Sequence, residues 1–182
     1  MYRGSYCSPL LKSVKTVEMT LDDLNEVLEI EQCSFPTPWS KELFLKELHS
    51  ESSKIFLAKS NFLGKQRVLG YISIWFVNEE VHILNLACHP NFRRSGVAKS
   101  LIEYSLSFSF QIGARRVFLD VRETNHAALS LYKKYGFKPI GIRKGYYSDT
   151  QEDAIVMVLE MESKSLFKNF FTSCPVADKG RH

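Results

Sequence analysis

Long apolar runs are missing from the 182 residues: no stretch of about 18 or more occurs, so no transmembrane helix is expected. The segment Met1 to Lys12 carries Arg3 but no apolar centre, so it does not read as a secretory signal. Cysteine is scarce. Cys7, Cys33, Cys88 and Cys174 stand far apart without CxxC spacing, which argues against a zinc site or a disulfide framework and for reduced thiols in a cytoplasmic protein. His82, His89 and His126 share no ligand spacing, so no metal is expected. No repeat of solenoid period is visible, and no nucleic-acid-binding module. What is present is one domain's length of chain, 45% hydrophobic and 24% charged, a composition that folds.

Charge is unevenly placed. From Arg93 to Lys144 there are 11 basic and 3 acidic residues, whereas the stretches on either side are slightly acidic. A segment of this kind suits a polyanionic partner, although composition alone fits a solvated basic face equally well.

The hydropathy pattern divides the chain into a lead-in (1–12), a domain (13–161) and a tail (162–182). Ser13 to Met19 alternates as a strand. Thr20 reads as a helix N-cap with Asp23 in the capping-box position, and Leu21, Leu24, Val27, Leu28 and Ile30 follow at helical spacing. Pro36 and Pro38 end that helix, and Ser40 caps a second one. Strands are expected at 54–60, 68–77 and 81–88. Helix then alternates with strand: a helix over 96–112 closed by Gly113, a strand over 115–122, and a helix over 125–135 closed by Gly136. Two closing strands, 137–142 and 154–161, flank a polar loop. Hairpin-joined strands should pair antiparallel, and the strands 81–88 and 115–122, separated by a helix, should run parallel. This is an α/β (α+β) fold, a mixed central sheet with flanking helices. Leu166, Phe167, Phe170 and Phe171 in the tail can dock as a short helix or stay loose.

The segment Arg93-Arg94-Ser95-Gly96-Val97-Ala98 follows a strand and opens a helix. Small residues at a helix start leave backbone N–H groups free at the positive end of the dipole, a site suited to phosphate. Arg93, Arg94 and Lys99 add charge. Downstream, Asn125-His126-Ala127-Ala128-Leu129-Ser130-Leu131-Tyr132 precedes Tyr135-Gly136-Phe137. The pair of motifs, RRSGVA and NxxAxxLYxxxGF, resembles the acetyl-CoA-binding elements of the GNAT family of N-acetyltransferases. The stretches Phe35-Pro36-Thr37-Pro38-Trp39-Ser40, Asn85 to Pro90, Tyr146-Tyr147 and Glu152-Asp153-Ala154 resemble its RimI subfamily, which acetylates the N-terminal amine of a ribosomal protein.

The resemblance implies the acyl-CoA N-acyltransferase fold, with a parallel strand pair that splays apart around acetyl-CoA. It implies that Leu86, Ala87 and Cys88 run along the pantetheine through their backbone, with one N–H polarising the thioester carbonyl. Arg94, Ser95, Gly96, Val97, Ala98 and Lys99 would hold the pyrophosphate, and Asn125 would reach the pantetheine. Tyr132 would be the general acid for the departing thiolate; as an unassigned helix residue it would simply be buried with its hydroxyl on an acceptor. Asp120 stands where relatives carry a Glu as general base; it would act directly or through water, another group would serve, or it is merely paired with Arg122 or Arg143. Trp39, Tyr146 and Tyr147 would wall the acceptor groove, or serve as packing. Glu152 and Asp153 would receive a basic residue of the substrate, or form a solvated loop. Cys88 reads as a small core residue rather than a nucleophile.

The expected activity is acetyl transfer from acetyl-CoA to a protein N-terminus, foremost an N-terminal alanine of a small-subunit ribosomal protein, by direct attack in a ternary complex. An α-amine has a free pKa near ~7.7–8.0 against ~10.4 for lysine, so a weak base suffices for it. The alternatives are acetylation of a small amine such as a polyamine or amino-sugar, or a non-catalytic acyl-CoA-binding module. No nucleic-acid or membrane role is expected, and a monomer or weak dimer is.

Overall fold

The computed structural model describes residues 12–62 and 64–161. The expected lead-in, apart from Lys12, and the expected tail lie outside them. Seven strands form one sheet in the order β1 (Lys12–Glu18), β2 (Ser53–Phe62), β3 (Lys65–Val77), β4 (Glu80–Cys88), β5 (Arg116–Arg122), β7 (Glu152–Glu160), β6 (Lys138–Tyr147). Neighbours are antiparallel except β4 and β5, which are parallel. The four α-helices are α1 (Leu24–Ser34), α2 (Lys41–His49), α3 (Val97–Gln111) and α4 (His126–Lys134).

Local signals set the helix ends. Thr20 donates its backbone N–H and its hydroxyl to Asp23, each at 3.1 Å, and a single 3-10 turn at Leu21–Asp23 leads into α1. Ser40 accepts from the Leu43 N–H at 3.3 Å and starts α2. Gly113 and Gly136 close α3 and α4 with φ of +83° and +88°, values that a side chain disfavours.

Strand alternation makes two cores. On β2, Ile55 and Leu57 face α1 and α2, joining Val27, Ile30 and Phe44; Phe56 and Ala58 face the other side, joining Leu101, Ile102 and Leu106 of α3. β3 is buried on both faces from Val68 to Ile74, whereas β4 and β5 bury alternate residues where they meet.

The closing strands differ from expectation. Most of the polar segment is strand, since β6 runs on through Tyr147 and β7 begins at Glu152. The last two strands do not lie in chain order across the sheet. The apolar β7 lies between β5 and β6, and β6 takes the edge. Pro139, which has no N–H to donate, and a row of Lys, Arg and Gly fit an edge strand and not a central one.

Candidate active site

The site begins where β4 and β5 part. Their parallel pairing runs only from Glu80↔Arg116 to Ile83↔Leu119. The β3–β4 register shifts between Ser73 and Ile74, leaving Leu84 as an extra residue on β4. Beyond the bulge β4 remains in ladder with β3, while its other edge is open. The His89 N–H donates to the Leu69 C=O at 2.9 Å. In this register Tyr71/Ala87 and Ser73/Asn85 exchange the ladder bonds. Leu86 and Cys88 therefore turn their N–H and C=O groups to the open edge, where the Leu86 N–H donates to Asn85 Oδ1 at 3.1 Å and the Cys88 C=O accepts from Arg93 Nε at 3.4 Å, whereas the main chain of Ala87, between them, is held by Tyr71.

The gap leads to the start of α3. Gly96 is the N-cap, with φ +89° and ψ −1°, and Arg94 also adopts a left-handed φ of +62°. Ser95 Oγ donates to the Phe92 C=O and pins the turn. A Cβ on Gly96 would meet nothing within 4 Å, so the glycine is there for its backbone angle and for the open approach to the helix start. Lys99 is exposed and lies 3.9 Å from Glu103, one turn on. Cys88 is half-buried nearby, and that burial pushes its thiol up to about 11, partly offset by Arg93 and the Ala98 amide. A thiol at that value is not a nucleophile near neutrality.

A cavity of about 310 Å³ opens at the mouth of the gap. Leu86, Asp120, Asn125 and Tyr132 line it, and so do Trp39, Tyr146 and Tyr147. Tyr132 is buried, edge-on to Phe137 with ring centroids 5.6 Å apart, and its hydroxyl has no hydrogen-bond partner among the described residues. Burial raises its pKa, helped by the adjacent Tyr147 and Cys88, so the phenol stays in its neutral donor form. Asp120 Oδ1 is buried without a hydrogen bond among the described residues; Arg143 Nε lies 3.3 Å from it as an ion pair, so Arg143 rather than Arg122 is the cation beside it. Asn125 is the N-cap of α4, and its Oδ1 accepts from the Ala128 N–H at 3.1 Å. Its amide NH2 is the part left to meet a ligand.

Two residues of this site escaped sequence reading. Glu31 lies in the cavity wall, 1% exposed. Its carboxylate accepts the Trp39 N–H at 2.8 Å and the Tyr71 hydroxyl, and Asn85 Nδ2 approaches both of its oxygens at 3.4 Å. Burial raises the Glu31 pKa, and these donors offset part of the rise. Tyr71 is held well above its ordinary value by burial and by Glu31 beside it, so it is the donor of the pair. The signal was available: Glu31 stands four residues after Val27 and seven after Leu24, on the apolar stripe of α1.

The second is Arg122, at the end of β5. It makes two hydrogen bonds to Asp149, at 2.7 and 2.9 Å, and one of 3.2 Å to Glu152, and its guanidinium lies 3.9 Å over the Tyr147 ring. It clamps the β6–β7 turn against the cavity. Glu152 also takes the N–H and hydroxyl of Thr124, and Asp153 takes Lys144 and the Gly145 N–H. These acids are thus ion-paired and hydrogen-bonded within the β6–β7 hairpin and to Arg122 and Thr124 beside it, in place of the expected solvated loop.

The basic stretch is thereby redistributed. Arg122, Arg143 and Lys144 pair with acids beside the cavity, and Arg115 and Arg116 pair with Glu79 and Glu80 at the opposite end of the sheet. A larger open cleft of about 750 Å³ there contains none of the residues expected to act. Arg93, Arg94 and Lys99 remain at the helix start. No group of residues that could hold a metal ion occurs among the described residues, and no described helix is long and apolar enough to cross a membrane.

Residues 24–137 match the acetyltransferase (GNAT) family. A Bacillus subtilis protein, by its name a candidate ribosomal protein bS18-alanine N-acetyltransferase, is 38% identical over 141 residues, which is 76% of this chain and 90% of that protein. The Escherichia coli ribosomal protein bS18-alanine N-acetyltransferase is 30% identical over 151 residues, 82% of this chain and 97% of the relative. The crystal structure of the ribosomal-protein-S18-alanine N-acetyltransferase from Escherichia coli superposes with a TM-score of 0.73 at 28% identity, over 84% of this chain and 98% of that one.

Proposed function

The chain belongs to the GNAT acetyltransferase family, and on that footing we propose that it transfers the acetyl group of acetyl-CoA to the N-terminal α-amine of a protein, foremost an N-terminal alanine of a small-subunit ribosomal protein. The observation that carries this reading is the open edge of β4. Backbone N–H groups of Leu86 and Cys88 face a gap that has the donor-rich start of α3 at one end and Tyr132 and Asp120 at the other. Such a gap suits an extended thioester with a pyrophosphate at its far end. The relatives' names supply the acceptor, and they do not favour a small-molecule amine or a binding-only module.

The chemistry needs no covalent enzyme intermediate. The amine nitrogen attacks the thioester carbonyl, the new C–N bond forms, and the C–S bond breaks with its electron pair leaving on sulfur. The Leu86 N–H, which Asn85 Oδ1 accepts at 3.1 Å, would share its proton with the carbonyl oxygen and stabilise the charge that develops there. Tyr132 supplies the proton for the thiolate. The proton lost by the amine goes to Asp120, whose Oδ1 has no hydrogen bond among the described residues, through water because its carboxylate is one methylene shorter than a Glu. Trp39 and the Tyr146–Tyr147 pair close the acceptor side, and holding both reactants in register supplies much of the rate.

Tyr132→Phe tests the assignment. It keeps the ring against Phe137 and removes the proton. Turnover should fall by about 100-fold or more, with the CoA dissociation constant unchanged by calorimetry. Unchanged turnover would remove Tyr132 from the chemistry.

A further inference from the structure

Glu31, Tyr71 and Asn85 form a line of hydrogen bonds along the cavity wall, from α1 over β3 to β4. Asn85 Nδ2 donates to the Tyr71 hydroxyl at 2.8 Å, Tyr71 donates to Glu31 Oε2, and Glu31 Oε1 accepts the Trp39 N–H at 2.8 Å. At the other end Asn85 Oδ1 accepts the Leu86 N–H at 3.1 Å. Tyr71 is 0% exposed and Glu31 1%, so neither of these two groups can turn to water instead.

We propose that Glu31 is a positioning residue that fixes the direction of this line, so that Asn85 presents its oxygen to the Leu86 amide and the acceptor wall at Trp39 is held in register with the thioester strand. The proposal rests on the reading that the Leu86 N–H meets the thioester carbonyl as a second acceptor while it keeps Asn85 Oδ1. The reasoning is one of polarity. A carboxylate only accepts. With Glu31 at its foot, the Tyr71 proton must point down toward Glu31, and the hydroxyl oxygen must receive a donor from above. That donor is the Asn85 NH2, which leaves the Asn85 oxygen on the side of Leu86. Helix α1 thereby dictates which end of an amide faces the reacting strand.

The polarity can be reversed without changing shape. In Glu31→Gln the oxygen can keep Trp39, which turns the new NH2 toward Tyr71. Tyr71 must then donate upward, Asn85 must rotate to accept, and its NH2 comes to face the Leu86 N–H, donor against donor. A carboxylate at position 85 accepts from both sides. Glu31→Gln with Asn85→Asp therefore runs the line in the opposite sense with every group satisfied, while Asn85→Asp alone places two carboxylates on one hydroxyl.

The experiment measures kcat and KM for an N-terminal alanine peptide, together with the Leu86 1H–15N amide shift, in the full chain carrying each single change and the pair. Expected is a fall in kcat of about tenfold or more for Glu31→Gln, a fraction of what loss of an oxyanion donor costs. The Leu86 resonance should move, the peptide KM should rise, and the double variant should recover most of kcat and of the shift. A merely structural Glu31 would lower the folded fraction and leave KM and the Leu86 shift of the folded molecules unmoved, with no rescue; that result overturns the proposal. So does a Leu86 shift that moves without any change in kcat. If Glu31→Gln does not fold, Tyr71→Phe, which keeps the buried ring and cuts the line at its centre, must move the Leu86 resonance and lower kcat, and failure of either is decisive. The amide shift needs no acceptor, so wild-type protein inactive on every peptide would sink the proposed function while the shift still decides the orientation of Asn85.

Discussion

Gly70 tests how closely the fold and the cofactor edge are tied. It sits on β3 opposite Cys88. A Cβ there would lie 2.6 Å from the Ala87 carbonyl oxygen, 2.8 Å from Val97 Cγ1 and 3.2 Å from Cys88 Cα. The first and third of these are main chain of β4, and the second opens α3. None is the free end of a flexible side chain, so Gly70→Ala must push the reacting strand away from β3. Overpacking of this kind costs about 1–3 kcal/mol, and the contact with a ladder carbonyl places it in the upper half of that range. The smaller entropy of an unfolded alanine returns about 0.4–1 kcal/mol. The net is about 1–2.5 kcal/mol, or roughly 2–10 °C in Tm for a domain of this size. The displaced groups are the Cys88 N–H and the first turn of α3, so CoA should bind about tenfold more weakly, the equivalent of one charge-assisted hydrogen bond. Gly141→Ala is the control: it lies on exposed β6, has no positive φ and has nothing within 4 Å of its Cβ. Thermal unfolding and calorimetric CoA titration of the two variants decide the matter. Equal Tm and equal CoA affinity would refute the argument that this glycine spaces the cofactor strand.

Other outcomes follow from the same geometry. Arg122→Ala frees the β6–β7 turn from β5, so the peptide KM should rise about tenfold while CoA affinity holds; an unchanged KM would mean that the turn does not wall the acceptor. Arg94→Ala and Lys99→Ala should weaken CoA binding, most at low ionic strength, whereas Lys133→Ala on α4 should do little; equal effects at all three would point to diffuse charge rather than a loop. Stability should depend on pH through Glu31. Its pKa is raised by burial, so the folded state binds more protons than the unfolded one between the ordinary value of 4.5 and the raised value. Its contribution is complete below that window and is lost as pH rises through it. The difference in unfolding free energy between wild type and Glu31→Gln should therefore shrink with rising pH, and a pH-independent difference would contradict the shift.

Much of the architecture could be read because its determinants are local. Gly113 and Gly136 end helices whatever surrounds them, and Asp23 and Ser40 cap from within a few residues. The parallel relation of β4 and β5 follows from the helix between them. The insertion of β7 between β5 and β6 is set by which strand can bear burial on both faces, a property of the assembled sheet and only faintly of the strand. The site divides in the same way. Tyr132, Asn125 and the turn at Gly96 lie in contiguous motifs. The line through Glu31, Tyr71 and Asn85 joins α1, β3 and β4 across 54 positions of sequence, and the clamp of Arg122 on Asp149 spans 27. Those pairings exist only after folding, and a carboxylate on the apolar stripe of α1 was their one trace in the chain.

The central claim is a choice of amine, and one substrate can decide it. A peptide with a free N-terminal alanine and an internal lysine offers both amines to the protein in the presence of acetyl-CoA, and fragmentation mass spectrometry locates the added acetyl group. The account predicts acetate on the α-amine alone, and none in the Tyr132→Phe variant over the same interval. Acetate on the lysine side chain, or a peptide left untouched while a small amine is acetylated, would contradict it.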